Sequence, residues 1–253
     1  MGNFNRIWNV ILKEYKTLQT KIEFGVLHLT LNRPEARNAM NSIMVHELIH
    51  LINFIENNRS IRCVVIKGSN GFFCAGADIK EAETRKGFNS EEARRHSEAS
   101  LPVYQLGGQT DKPVIAAVKG FVLGGGCNLA IATDMVVAGE NALFGYPEVK
   151  RGMGATMVAP GLVHRIGPKA AYELLMLGEN ISAEKALALG LINRVVPDDK
   201  VLDEALGIAT KLAAYDQRAI RATKRCFTKS TELSLDASLD SAMESMLQLR
   251  TSE

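Results

Sequence analysis

Three short apolar runs, each closed by a glycine and each separated from the next by helix-forming sequence, restrict the possible folds of this chain most. They are RCVVIKG (Arg62 to Gly68), KPVIAAVKG (Lys112 to Gly120) and DMVVAG (Asp134 to Gly139). A run without polar alternation reads as a strand buried on both faces, the kind found in parallel sheets covered by helices. Buried strands alternating with helices predict an α/β class with a mostly parallel sheet.

The flanking sequence fits that frame. Two strands are expected over residues 17–22 and 26–31, hinged at Glu23-Phe24-Gly25 and closed by Pro34. A helix is expected over residues 42–57, capped by Asn41 or Ser42, and a polar helical stretch over residues 90–106. The glycine-containing stretch GFVLGGGCNLA opens another helix. After about Met157 the pattern is helical almost throughout, with LINRVVP as the interrupting strand. The division expected is a core over residues 1–195 and a helical region over residues 196–253.

Composition narrows function. The chain has 253 residues, 46% of them hydrophobic, and a formal net charge of +2. That charge balance gives no warrant for nucleic acid or a membrane surface as partner. Cys63, Cys74, Cys127 and Cys226 form no C-x-x-C pair, so reduced thiols in a cytoplasmic setting are expected. The first residues hold no signal-peptide core, Arg6 breaks the myristoylation pattern, and no apolar run approaches the ~20 residues of a membrane span.

HELIH, from His46 to His50, spells the zinc-peptidase pattern H-E-x-x-H. At ~100° per residue, Val45, Leu48, Ile49, Ile52 and Ile55 share one helix face, and His46, His50, Asn53 and Asn57 share the opposite one. Zinc needs a third ligand. The extended motif would place Gly and His where Asn53 and Glu56 stand, which leaves Glu81 or Glu83 as distant options. The periodicity favours an ordinary amphipathic helix with no metal, and a zinc hydrolase is kept as a remote alternative.

Two glycine-containing loops that follow buried strands carry more. They are CAGADIKE (Cys74 to Glu81) and GFVLGGGCNLA (Gly120 to Ala130). Glycine lets a ligand approach the backbone closely, and a glycine run at a strand-to-helix turn leaves amide N–H groups free for an oxyanion or phosphate. Neither loop matches a dinucleotide or nucleotide fingerprint.

With LNRPEARNAMN (Leu31 to Asn41), KPVIAAVKGFVLGGGC (Lys112 to Cys127), FGYPEVKRG (Phe144 to Gly152) and the order of segments to Pro197, the chain resembles the crotonase, or enoyl-CoA hydratase/isomerase, superfamily. The resemblance implies a spiral of ββα turns, a C-terminal helical trimerisation region and an acyl-CoA thioester as substrate. No separate cofactor is implied, because coenzyme A is part of that substrate. It also implies an oxyanion hole made by the N–H groups of Ala77 and Gly125. A lost donor of this kind costs about 3–4 kcal/mol of transition-state stabilisation. Ala75, Ala77, Asp78, Ile79, Lys80 and Gly125 should line the path of the CoA moiety, with Arg37 and Lys80 as phosphate neighbours.

Two departures from the family pattern bear on the reaction. Two-carboxylate hydratases carry a glutamate directly after G-G-G-C, where this chain has Asn128; the second carboxylate is present as Glu148. Asparagine can hold a water but cannot deprotonate it, and a missing general base costs ~10²–10⁴-fold. One glutamate still suffices to shift a double bond from the 3- to the 2-position, or to protonate Cα in an atypical hydration. In addition, KRGMGATMVAPG (Lys150 to Gly161) lacks the family's G-A-G-G-T-Q, which implies an altered acyl pocket. The expectation is an acyl-CoA enzyme using Glu148, with Asn128 holding water; the alternative is an acyl-CoA-binding protein with little turnover. The last helix places Leu235, Leu239, Ala242, Met246 and Leu249 in one stripe, which predicts a homotrimer or a pair of trimers.

Overall fold

In the computed structural model, which describes residues 14–251, a hairpin opens the fold. Its strands are β1 (Leu18–Glu23) and β2 (Val26–Leu31), joined where Phe24 and Gly25 take φ of 49° and 81°. The N-terminal segment read for targeting signals, including Arg6, lies outside the described residues.

Helix α1 (Ser42–Asn57) starts at Asn41, whose Oδ1 accepts the Met44 N–H at 2.9 Å. It buries Met44, Leu48, Leu51, Ile52 and Ile55. The buried stripe is thus rotated slightly from the expected one, because Val45 and Ile49 stay half-buried at its edge. His46, His50, Asn53 and Asn57 are exposed, as the periodicity requires.

The chain then runs through β3 (Cys63–Gly68), α2 (Ile79–Thr84) and α3 (Ser90–Ser100). The single helix expected over residues 90–106 ends at Ser100 instead. Pro102 has no N–H to give to the carbonyl of Glu98, and the chain continues as a tighter 3₁₀ segment, Leu101–Gln109, with a break at Gln105.

Next come β4 (Val114–Val118), β5 (Phe121–Leu123) and α4 (Gly125–Ile131), then β6 (Met135–Gly139), β7 (Leu143–Gly145), α5 (Ala159–Ile166) and α6 (Pro168–Leu177). The remaining elements are β8 (Asn180–Ser182), α7 (Ala183–Ala188), β9 (Arg194–Val196), α8 (Val201–Ala214), α9 (Gln217–Ser230) and α10 (Leu235–Thr251).

Six strands form one sheet in the order β1-β2-β3-β4-β6-β9, parallel from β2 onward; β5, β7 and β8 form a second, smaller sheet. Two turns of the spiral, β4-β5-α4 and β6-β7-α5, lay one strand in each sheet and then add helix. The most apolar runs are the strands β3, β4 and β6, buried over most of their length. The small-sheet strands β5, β7 and β8 were not separated from the loops around them in the sequence.

Helix α8 lies C-terminal to the expected division at 195/196, yet it closes the outer face of the large sheet. Its Val201, Ala205, Ala209 and Ala213 pack on Val26, Cys63, Val65, Ile115, Ala117 and Val137. Alanine at every fourth position lets the helix approach closely. α9 is pinned by buried Lys224, whose Nζ donates to Asp134 Oδ2 at 2.7 Å and to the Lys112 carbonyl at 2.5 Å. Helix α10 packs on α9 and leaves Leu235, Leu239, Met243, Met246 and Leu247 exposed. Among the described residues, no helix is long and apolar enough to cross a membrane.

Candidate active site

The two glycine loops meet backbone to backbone. Cys74 and Val122 form a parallel bridge, with the Cys74 N–H on the Phe121 carbonyl at 3.1 Å and the Leu123 N–H on the Cys74 carbonyl at 3.0 Å. A Cβ on Gly76 would stand 2.9 Å from the Leu123 carbonyl oxygen, so only glycine fits this approach. Beyond the bridge, the Ala75 N–H is taken by the Arg37 carbonyl and the Asp78 N–H by the Met40 carbonyl. The Ala77 N–H between them has no acceptor among the described residues.

The second loop mirrors this arrangement. Gly124, at φ 52° and ψ −125°, turns the chain into α4, and its N–H goes to the Gly145 carbonyl at 2.8 Å. Gly125 is the first residue of α4, where a helix leaves N–H groups without internal partners. Its N–H also has no acceptor among the described residues. Two unspent amides therefore flank one crevice.

Glu148 completes it. A Cβ on Gly124 would be 2.5 Å from Glu148 Oε1, so the carboxylate rests directly on the glycine turn. Glu148 Oε2 is buried and has no hydrogen-bond partner. Burial raises its pKa above the ordinary glutamate value; its own backbone N–H and the Arg151 cation oppose the rise only in part. A half-buried, unpaired carboxylate of this kind is suited to carry a proton.

Ala75, Ala77, Ile79, Gly125 and Glu148 line a single cavity of about 240 Å³. Four expected site residues do not line it. Asp78 caps α2 through the Lys80 and Glu81 N–H groups and pairs with Arg33 Nη1 at 2.9 Å. Although burial works against ionisation, Arg33 and the helix amides hold that carboxyl below its usual range. Lys80 is exposed at the start of α2. The Arg37 guanidinium lies over Phe121 and Phe72, 5.4 and 5.9 Å from their centroids.

Asn128, expected to hold a water in the site, corrects the sequence reading. It is 2% exposed, and its Oδ1 accepts the hydroxyl of fully buried Tyr146 at 2.9 Å. Its carbonyl is thus engaged by Tyr146, and Asn128 is not among the residues that line the cavity.

The cavity also takes Arg85, His96, Ser97, Ser100, Tyr104 and Met157, none of which the sequence singled out. His96, Ser97, Ser100 and Tyr104 sit on α3 and the 3₁₀ segment, where no local motif marks them, whereas Arg85 follows α2 and Met157 falls in the stretch expected to alter the acyl pocket. HELIH is used elsewhere. Glu47 accepts the N–H groups of Lys16 and Thr17 and the Thr17 hydroxyl, and His50 Nδ1 bonds the Tyr15 hydroxyl at 2.9 Å. The motif ties the start of β1 to α1.

Paired backbone amides beside a lone half-buried carboxylate are an arrangement suited to chemistry through an enolate-like oxygen. The profile of the enoyl-CoA hydratase/isomerase family matches residues 21–252, and the chain belongs to that family. It is 39% identical over 221 residues to the 2,3-dehydroadipyl-CoA hydratase of Escherichia coli K12, covering 85% of this chain and 82% of that protein. It is 36% identical to the short-chain-enoyl-CoA hydratase of Clostridium acetobutylicum, covering 91% and 85%. The crystal structure of the enoyl-CoA hydratase of Mycobacterium smegmatis superposes with a TM-score of 0.88 at 31% identity, covering 93% and 91%. The fold is the crotonase fold, and the protein is an enzyme of the hydratase/isomerase type.

Proposed function

We propose that this enzyme reversibly hydrates a 2-enoyl-CoA thioester, holding the thioester oxygen between the N–H groups of Ala77 and Gly125 and moving the proton with Glu148 alone. Glu148 carries the reading: its Oε2 is buried without a partner, on the turn that presents Gly125. An acyl-CoA binder without turnover has no use for a carboxylate held in that state. Attack at Cβ sends charge to the thioester oxygen, where preorganised donors act most strongly. A double-bond shift draws on the same enolate and is the second reading, favoured by the withdrawal of Asn128 from the cavity. The test is incubation with 2-enoyl-, 3-enoyl- and 3-hydroxyacyl-CoA thioesters and identification of products by mass. Exchange between the 2-enoyl and 3-hydroxyacyl forms is expected, and a double-bond shift alone would overturn the hydration reading.

The coenzyme A of the substrate is the only cofactor chemistry the reading needs. Exposed Lys80 and Arg37 stand outside the cavity, where the phosphates of the CoA moiety would pass. A reducing cytoplasm suits Cys63, Cys74 and Cys127, buried thiols that burial pushes up to about 12. The exposed stripe of α10 suits a homotrimer or a pair of trimers. Light scattering at micromolar concentration is expected to give a multiple of three protomers, and a monomer would count against this assembly.

The acid side of the pH profile should report Glu148. The reaction needs its ionised form, so kcat/KM should fall as pH drops through a pKa above the ordinary glutamate value. Arg151 holds that pKa down. Arg151→Ala is therefore expected to move the acid limb to still higher pH; an unmoved limb would mean that another group titrates.

A further inference from the structure

Hydration with a single carboxylate needs the water held as well as deprotonated. The residue expected to hold it, Asn128, is turned to Tyr146 behind α4. Among the polar side chains that line the cavity, Tyr104 stands at the oxyanion turn itself. Its hydroxyl oxygen lies 2.8 Å from the point where a Cβ on Gly125 would sit, and Met40 Cε lies 3.0 Å from the same point. Glu148 rests on the adjacent glycine, so the phenol and the carboxylate lie against successive glycines of one turn.

The Tyr104 hydroxyl has no hydrogen-bond partner among the described residues. Burial pushes the phenol up to about 12, with the nearby Cys74 and Glu148 adding to the rise. It stays protonated and is a donor, not a base.

We propose that Tyr104 is a substrate-contacting residue that donates its O–H to the oxygen joining or leaving Cβ, filling the role that Asn128 does not. The inference rests on the acyl-CoA reading above. As the water oxygen bonds Cβ, one water proton passes to the Glu148 carboxylate, and the Cα=Cβ electron pair moves onto Cα and the thioester oxygen. The proton on Glu148 then bonds Cα, which consumes the enolate pair and restores the carboxylate. The second water proton remains as the 3-hydroxyl hydrogen. Tyr104 gives up no proton in either direction.

The test reads binding, so it does not depend on turnover. In a Glu148→Gln background, calorimetry measures the affinities of 3-hydroxybutyryl-CoA and butyryl-CoA with and without Tyr104→Phe. Phenylalanine keeps the ring and removes only the hydroxyl. The substitution is expected to weaken 3-hydroxybutyryl-CoA about fivefold or more, the worth of a net hydrogen bond, and butyryl-CoA less than about twofold. Equal effects on the two ligands, including no effect or loss of both, would overturn the assignment. Failure of both thioesters to bind before Tyr104 is changed would instead overturn the acyl-CoA reading.

Discussion

Glu148→Gln is expected to lower kcat by at least about 10³-fold while acyl-CoA affinity stays within about threefold. Glutamine keeps the shape of the side chain on Gly124 but cannot exchange a proton near neutral pH. One general acid–base group is worth ~10²–10⁴-fold, and no second carboxylate lines the cavity among the described residues to take over. Thioester contacts to the backbone amides are untouched, so binding survives. The same substitution carries a stability signature. The folded-state pKa of Glu148 is raised, so ionisation is costlier in the folded protein than in the unfolded chain. That cost is absent below the unfolded-state pKa and sets in as pH rises through the folded one. Glu148→Gln should therefore raise Tm at neutral pH and lose this advantage in acid. A variant with parent-like kcat, measured by single-turnover conversion, would remove Glu148 from the mechanism.

Gly125→Pro should cost kcat about 10²–10³-fold, the loss seen when one oxyanion donor is removed. The helix itself tolerates the change, because proline is favoured at a first helical position and no intrahelical bond is lost there. What the added Cβ meets is also forgiving: the nearest atoms are the ends of the Tyr104 and Met40 side chains, not backbone. Gly125→Ala is the control, since it adds the same Cβ but keeps the N–H. A larger fall in kcat for proline than for alanine isolates the amide, with circular dichroism verifying that both fold. A folded proline variant with the kcat of the alanine variant would take Gly125 out of the oxyanion hole.

The parts of the fold legible in the sequence were those with a repeating pattern long enough to read. The bounds of α1 and β2 follow from their periodicity, from Asn41 and from the turn at Gly25. β5, β7 and β8 have three residues each, too few to show a two-residue alternation, so the second sheet was missed. The cavity divides in the same way. Ala77, Gly125 and Glu148 stand in contiguous motifs and were readable through the family resemblance. Tyr104 is brought to Gly125 by a 3₁₀ segment and packing across 21 positions of sequence, and nothing local announces it. Asn128 was placed correctly on α4 but not in rotation. Sequence gives its helix, whereas the partner that turns it inward, Tyr146, lies 18 residues away.

The meeting of two backbones at Gly76 and Leu123 has a consequence for how such an enzyme can diversify. The proposed charge-stabilising donors are peptide groups, so no substitution except proline deletes them; other mutations can reach them only by disturbing the loops, above all at the few glycines that let those loops touch. The rest of the wall, including Ser97, Ser100, Met153 and Met157, is under no such constraint. Selection can therefore redraw which acyl group is accepted without reinventing the step that makes it reactive, and this separates the drift of substrate taste from the inheritance of chemistry.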